Sequence, residues 1–157
     1  MLVPYVTGGL YDGWTEVLEA VVAAGADAVE IGIPFSDPVM DGPTIQAASQ
    51  QALARGATPT TILGEVEALD VEAPLAVMTY ANLAMHAGYD RFAAALVGAG
   101  VEAAILPDLP LDEFDEWGSA ADAAGVETVL LAAPTTTDER LARICERSTG
   151  FVYAVSL

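Results

Sequence analysis

Short apolar runs alternate with longer amphipathic stretches from one end of the chain to the other. Leu2–Thr7, Ala26–Ile33, Pro74–Thr79, Ala103–Leu106, Glu127–Ala132 and Phe151–Val155 read as six strands, short apolar runs bounded by turn residues. Between them the spacing predicts helices over Trp14–Ala24, Thr44–Arg55, Thr58–Leu69, Asp90–Ala99, Leu111–Ala124 and Thr137–Arg147. In the first of these, Val17, Leu18, Val21 and Val22 form one apolar stripe. Tyr80 to Gly88 reads as a loop.

Three of the strands are announced by the same signal. Ala24-Gly25-Ala26-Asp27, Ala99-Gly100-Val101-Glu102 and Ala124-Gly125-Val126-Glu127 each close a helix with glycine and place an acidic residue ahead of a strand. Helix, glycine stop, acidic residue, strand is the rhythm of βα units around a parallel sheet. Open doubly wound sheets share it. Small or polar residues on one strand face and candidate site residues at several strand ends favour a barrel. Thr7-Gly8-Gly9-Leu10 lacks the spacing of a dinucleotide-binding turn. The 157 residues suit one domain, residues 1–157, large enough to bury a core.

The second strand carries the chemistry. Alternation puts Ala28, Glu30 and Gly32 on one face and Val29, Ile31 and Ile33 on the other. The branched face suits packing against helices, so the small face is expected to look inward, with Glu30 among apolar atoms and its pKa raised. A half-exposed strand, or pairing of Glu30 with a distant arginine, are the bland alternatives. The loop that follows contains Pro34, Pro38 and Pro43, together with Ser36, Asp37, Asp41 and Gly42. Prolines fix its path, Gly42 is expected to supply a conformation other residues resist, and Pro43 suits a helix start. Asp41 by itself reads as a turn or capping residue. With Glu30 it forms a candidate acid/base pair of carboxylates at one strand end.

Composition removes several classes of function. A net charge of −18 argues against nucleic acid and anionic membrane surfaces, which call for basic patches. The cations are Arg55, Arg91, Arg140, Arg143 and Arg147, with no lysine, so lysine Schiff-base chemistry is excluded for this chain. The last three stand at helical spacing and read as a solvated face. One histidine, His86, leaves no His-His metal motif and weakens any Ser-His-Asp arrangement. One cysteine, Cys145, allows no internal disulfide and fits a reducing, cytoplasmic setting. No uncharged apolar run approaches a membrane span, and Met1 opens onto a strand-like segment rather than a leader. The acidic, lysine-free composition also hints at adaptation to salt.

The run Glu30-Ile31-Gly32-Ile33-Pro34-Phe35-Ser36-Asp37-Pro38, continued by Asp41-Gly42-Pro43-Thr44-Ile45-Gln46, closely resembles the signature of the tryptophan synthase alpha chain family. Val3-Pro4-Tyr5-Val6-Thr7, Met78-Thr79-Tyr80-Ala81-Asn82, Pro107-Asp108-Leu109-Pro110 and the Tyr153 region extend the resemblance over the whole chain. It implies a (β/α)8 TIM barrel and retro-aldol cleavage of indole-3-glycerol phosphate to indole and glyceraldehyde 3-phosphate, with neither cofactor nor metal. Glu30 then becomes the proton shuttle, and Asp41 binds the indole N–H and stabilises the cationic intermediate. Burial is expected to raise the pKa of Glu30, while the loop leaves Asp41 ionised. Tyr5 (where the family usually has Phe), Tyr80, Ile105, Leu131 and Tyr153 become pocket residues. Core filling is the ordinary alternative for the tyrosines. Asp108 reads better as a helix or loop cap than as a site residue. The family's partner is a pyridoxal-phosphate beta chain in an alpha–beta complex, expected to be a heterotetramer, and Asp37, Pro38 and Asn82 match positions near it.

The resemblance also implies a shortfall. A complete barrel needs about 250 residues, whereas this chain ends in the sixth strand and lacks the family's preceding helix. The first and sixth strands are therefore expected to be unpaired edges, as in a fragment of a longer protein. The family's phosphate site belongs to the seventh and eighth loops, so no phosphate-binding residues are assigned. Two other readings stand beside the enzyme: a non-catalytic module that docks on the beta chain, and a different phosphate-binding barrel isomerase. The length of the motif disfavours the second.

Overall fold

In the computed structural model, residues 1–156 are described. Six strands, β1 (Tyr5–Thr7), β2 (Val29–Gly32), β3 (Leu75–Met78), β4 (Ala103–Ile105), β5 (Glu127–Ala132) and β6 (Val152–Ala154), form one parallel sheet in sequential order. The helices are α1 (Trp14–Ala23), α2 (Pro43–Ala54), α3 (Pro59–Glu67), α4 (Ala81–Ala87), α5 (Tyr89–Gly98), α6 (Asp115–Ala124) and α7 (Asp138–Arg147). Each strand pairs only with its neighbours in sequence, so the order never reverses. A doubly wound sheet requires such a reversal; an unreversed parallel order is an arc of a barrel. Among the described residues β1 and β6 are edges, each paired on one side.

The two faces of the arc bury different residues. Val29, Ile31, Ile33, Leu75, Val77, Ala104, Leu106 and Leu130 pack outward against Trp14 and Leu18 of α1, Ile62 and Val66 of α3, Phe92 and Leu96 of α5, Trp117 of α6 and Ile144 of α7. The inner face is a thinner apolar layer of Ala76, Ala103, Ile105 and Val129, flanked by Met78, Leu131, Phe151 and Tyr153. The alternation expected on β2 holds, with its branched residues on the helix side. The repeated glycine stops hold as well: Gly25, Gly100 and Gly125 have φ of 97°, 73° and 79°, the left-handed turn that frees each chain to enter the next strand.

Several boundaries depart from expectation. The segment read as a loop between Tyr80 and Gly88 contains α4. Its seven residues, ANLAMHA, offer no capping side chain of their own. The N–H of Ala81 instead donates to Oδ1 of Asp108, at 2.8 Å, from the loop after β4. Asp108 is thus a cap, for a helix in the preceding βα unit. The helix expected from Leu111 starts later: Leu111–Glu113 form a 3₁₀ turn, Phe114 is buried, and α6 begins at Asp115. β1 is shorter than expected, although the carbonyls of Leu2 and Pro4 still accept the N–H groups of Asp27 and Glu30 at 2.9 Å. Gly42 has φ −72° and ψ 166°, extended backbone open to any residue, so the loop does not depend on a special glycine conformation there. Pro43, rather than Thr44, is the first residue of α2.

The arginines lie away from the inner face. Arg140 and Arg143 share Asp112, Arg147 pairs with Asp122 and stacks its guanidinium 4.8 Å from the Phe114 ring, and Arg55 pairs with Asp12. Such exposed pairs contribute little to stability. Cys145 is exposed.

Candidate active site

Glu30 is the most deeply placed carboxylate of the site. It sits mid-strand in β2, with Tyr5 of β1 on one side and Ala76 of β3 on the other. It is 5% exposed and, among the described residues, no cation pairs with it. Both bland readings, a half-exposed strand and a distant arginine, therefore fail. Burial alone pushes its carboxyl up to about 7.

Glu30 and Asp41 both line a cavity of about 330 Å³ at the C-terminal end of the arc. Its other walls include Tyr5, Met78, Leu131 and Tyr153. The loop after β2 supplies Met40, Asp41 and Gly42, and Ile45 of α2 completes that side. Polar groups thus converge on an apolar chamber, the usual composition of a small-molecule site. Asp41 is half-buried, which raises its carboxyl, while the Tyr80 hydroxyl offers the carboxylate a hydrogen bond that pulls the other way. From sequence the loop is expected to leave Asp41 ionised; burial instead pushes its carboxyl upward, though the stronger shift belongs to Glu30.

The other candidates divide. Tyr5, Leu131 and Tyr153 line the cavity. Burial pushes the Tyr5 phenol up to about 12, and raises Tyr153 too, with the charge of Glu30 adding to both. Tyr80 stands behind the loop instead: it is buried, its hydroxyl accepts the Met40 N–H at 2.9 Å, and its ring lies 5.1 Å from that of Phe35. Ile105 belongs to the inner layer but is wholly buried and is not among the cavity walls. The strand ends there, and Pro107, two residues further on, forms the wall in its place. Met78, Met40, Ile45, Pro107 and Val155 are walls that sequence reasoning passed over. Met78 and Val155 had a readable signal, since alternation places Met78 on the face of Ala76 and Val155 on the face of Tyr153.

Asp37, Pro38 and Asn82 lie outside the cavity, in the loop after β2 and on α4; Asp37 and Asn82 are exposed and Pro38 half-buried. Val39, Met40 and Met85 are exposed apolar residues in the same two segments, at 77%, 51% and 61%. Among the described residues, no group of three or more His, Cys, Asp or Glu side chains converges as a metal site would require. No helix there is long and apolar enough to cross a membrane.

A sequential parallel arc with a cavity lined by two carboxylates at its C-terminal end defines a barrel-class α/β domain. Comparison with known proteins is more specific. The family model described as tryptophan synthase alpha chain matches residues 1–157, and the chain belongs to that family. It is 48% identical over 159 residues to the tryptophan synthase alpha chain of Thermobifida fusca, covering 99% of this chain and 59% of that one. The crystal structure of the alpha subunit from Legionella pneumophila superposes with a TM-score of 0.94 at 39% identity, over 99% of this chain and 62% of that one. A structure of the tryptophan synthase α2β2 complex from Pyrococcus furiosus gives 0.92 at 38% identity, over 99% and 68%. The chain spans about three fifths of the length of the curated relatives it matches.

Proposed function

We propose that the protein to which this chain belongs is a carbon–carbon lyase that cleaves indole-3-glycerol phosphate to indole and glyceraldehyde 3-phosphate in tryptophan biosynthesis. The observation that carries this reading is the buried Glu30, without a cation partner among the described residues, lining one largely apolar cavity together with Asp41. The reaction needs a proton delivered to the ring carbon that bears the side chain. It needs a second proton removed from the hydroxyl on the adjacent carbon. As the carbon–carbon bond breaks, its electron pair returns to the ring and the hydroxyl carbon becomes the aldehyde.

A carboxyl titrating near 7 can give and take those protons at neutral pH. The Asp41 carboxylate suits the indole N–H and the positive charge that develops when the ring is protonated. Leu131 and Met78 offer apolar walls to a flat bicyclic ring. None of the five arginines is among the cavity walls.

A beta chain is the proposed partner, in an alpha–beta heterotetramer. Asp37, Pro38 and Asn82, with the exposed apolar residues beside them, form the proposed docking surface. The proposed setting is the cytoplasm. The test is direct: the protein as its gene encodes it is given indole-3-glycerol phosphate, and both products are followed. Equimolar indole and glyceraldehyde 3-phosphate support the reading. Absence of both, with and without a beta chain, from a folded protein overturns it and leaves a docking module.

A further inference from the structure

The first turn of α4 is where two loops of the cavity are tied together. Tyr80 precedes the helix, and its hydroxyl accepts the N–H of Met40 at 2.9 Å from the loop after β2. The next residue, Ala81, donates its N–H to Oδ1 of Asp108 at 2.8 Å, in the loop after β4. Each loop also supplies cavity walls, Met40 and Asp41 from the first and Pro107 from the second. Asp108 is carried on a firm support. Pro107 fixes φ, and the N–H of Leu109 closes a turn on the carbonyl of Leu106 at 3.1 Å.

α4 needs such a support. At seven residues it is too short to be stable by itself, and the side chains it buries most deeply, Ala81 and Ala84, are small. Its exposed face presents Asn82 and Met85 at i, i+3 spacing. The Met40–Tyr80 bond fastens the loop that carries the exposed Val39 to the start of the same helix. We infer that Asp108 is a positioning residue for partner docking: from the Pro107 turn it pins the start of α4, so that Asn82 and Met85 are held with the Asp41 loop as one preformed surface for a beta chain. A surface already ordered loses less freedom on association, and that is the contribution of the cap to affinity.

The inference rests on the proposed partner and needs no substrate for its test. The protein as encoded is titrated with the beta chain of the same organism, in wild type, Asp108→Ala and Asp108→Asn. Asparagine keeps an oxygen that accepts the Ala81 N–H; alanine does not. In Asp108→Ala, amide exchange from Ala81 to Gly88 is expected to quicken about threefold or more, and affinity for the beta chain to fall by a similar factor. The melting temperature is expected to move by about two degrees at most. Asp108→Asn is expected to restore both exchange and affinity. Unchanged affinity in Asp108→Ala, with wild type binding the beta chain, overturns the inference and leaves the partner in place. Equal loss of affinity in both variants without a change in exchange also overturns it, since Asp108 then acts on the partner through its charge. Failure of wild type to bind a beta chain overturns the proposed partner itself, and this inference with it.

Discussion

The backbone N–H of Met40 donates a 2.9 Å hydrogen bond to the hydroxyl of Tyr80, tying the loop that carries Asp41 to the end of β3. Phe35, at the other end of the same loop, lies against the Tyr80 ring. One side chain therefore fixes both ends of a ten-residue excursion otherwise restrained by its prolines. Tyr80→Phe keeps the ring contact and removes the tether, a loss of about 1 kcal/mol. Faster amide exchange at Met40 and quicker proteolytic nicking beside the exposed Val39 are expected, with little change in melting temperature. Unaltered exchange at Met40 would show that the prolines alone hold the loop.

Glu30→Gln preserves shape and removes titration. Indole release by the protein as encoded is expected to fall at least ~100-fold. Near-normal turnover in a purified variant would take Glu30 out of the chemistry.

Glu30 also predicts a pH dependence of stability with a definite sign. Its folded-state pKa is raised from 4.5 to about 7 by burial. The stabilisation associated with the protonated form is complete below 4.5 and lost as the pH rises through about 7. Wild type is thus expected to lose stability relative to Glu30→Gln across that window, on the order of 2 kcal/mol after allowing for the open side of the cavity. Parallel denaturation curves of the two proteins at every pH would contradict the shift.

Asp41→Asn separates charge from architecture. Its backbone carbonyl, not its carboxylate, receives the Gln46 side-chain amide at 2.8 Å, so the loop keeps that contact. Turnover is expected to drop by ~100-fold or more while the melting temperature moves by a degree or two at most. A large fall in melting temperature, with activity following the folded fraction, would make Asp41 a structural residue.

Gly32→Ala is expected to destabilise by about 1–3 kcal/mol, because the new methyl has to displace the Tyr5 ring end. Adding Tyr5→Ala removes the obstacle, so the double variant is expected to be less destabilised than the two single costs combined. Strict additivity in chemical denaturation would show that the two residues do not press on one another.

The sequence determined the rhythm of βα units, the side of β2 on which Glu30 lies, the glycine stops and the prolines of the Asp41 loop. These are local properties: strand alternation has a period of two, proline fixes φ, and a left-handed helix end favours glycine. The length and irregularity of the run from Glu30 to Gln46 also made the family legible before any coordinate was known. Tertiary structure alone decided whatever depends on partners distant in the chain. Glu30 titrates near 7 because neighbours from β1, β3 and β6 exclude water from it. α4 exists without a cap of its own because Asp108 supplies one from the next unit. Ile105 yields its place in the wall to Pro107 because β4 ends before the cavity begins. Gly32, read from sequence as one small inward residue, proved to be the seat of a tyrosine from the adjoining strand, since only pairing in register brings Tyr5 across it.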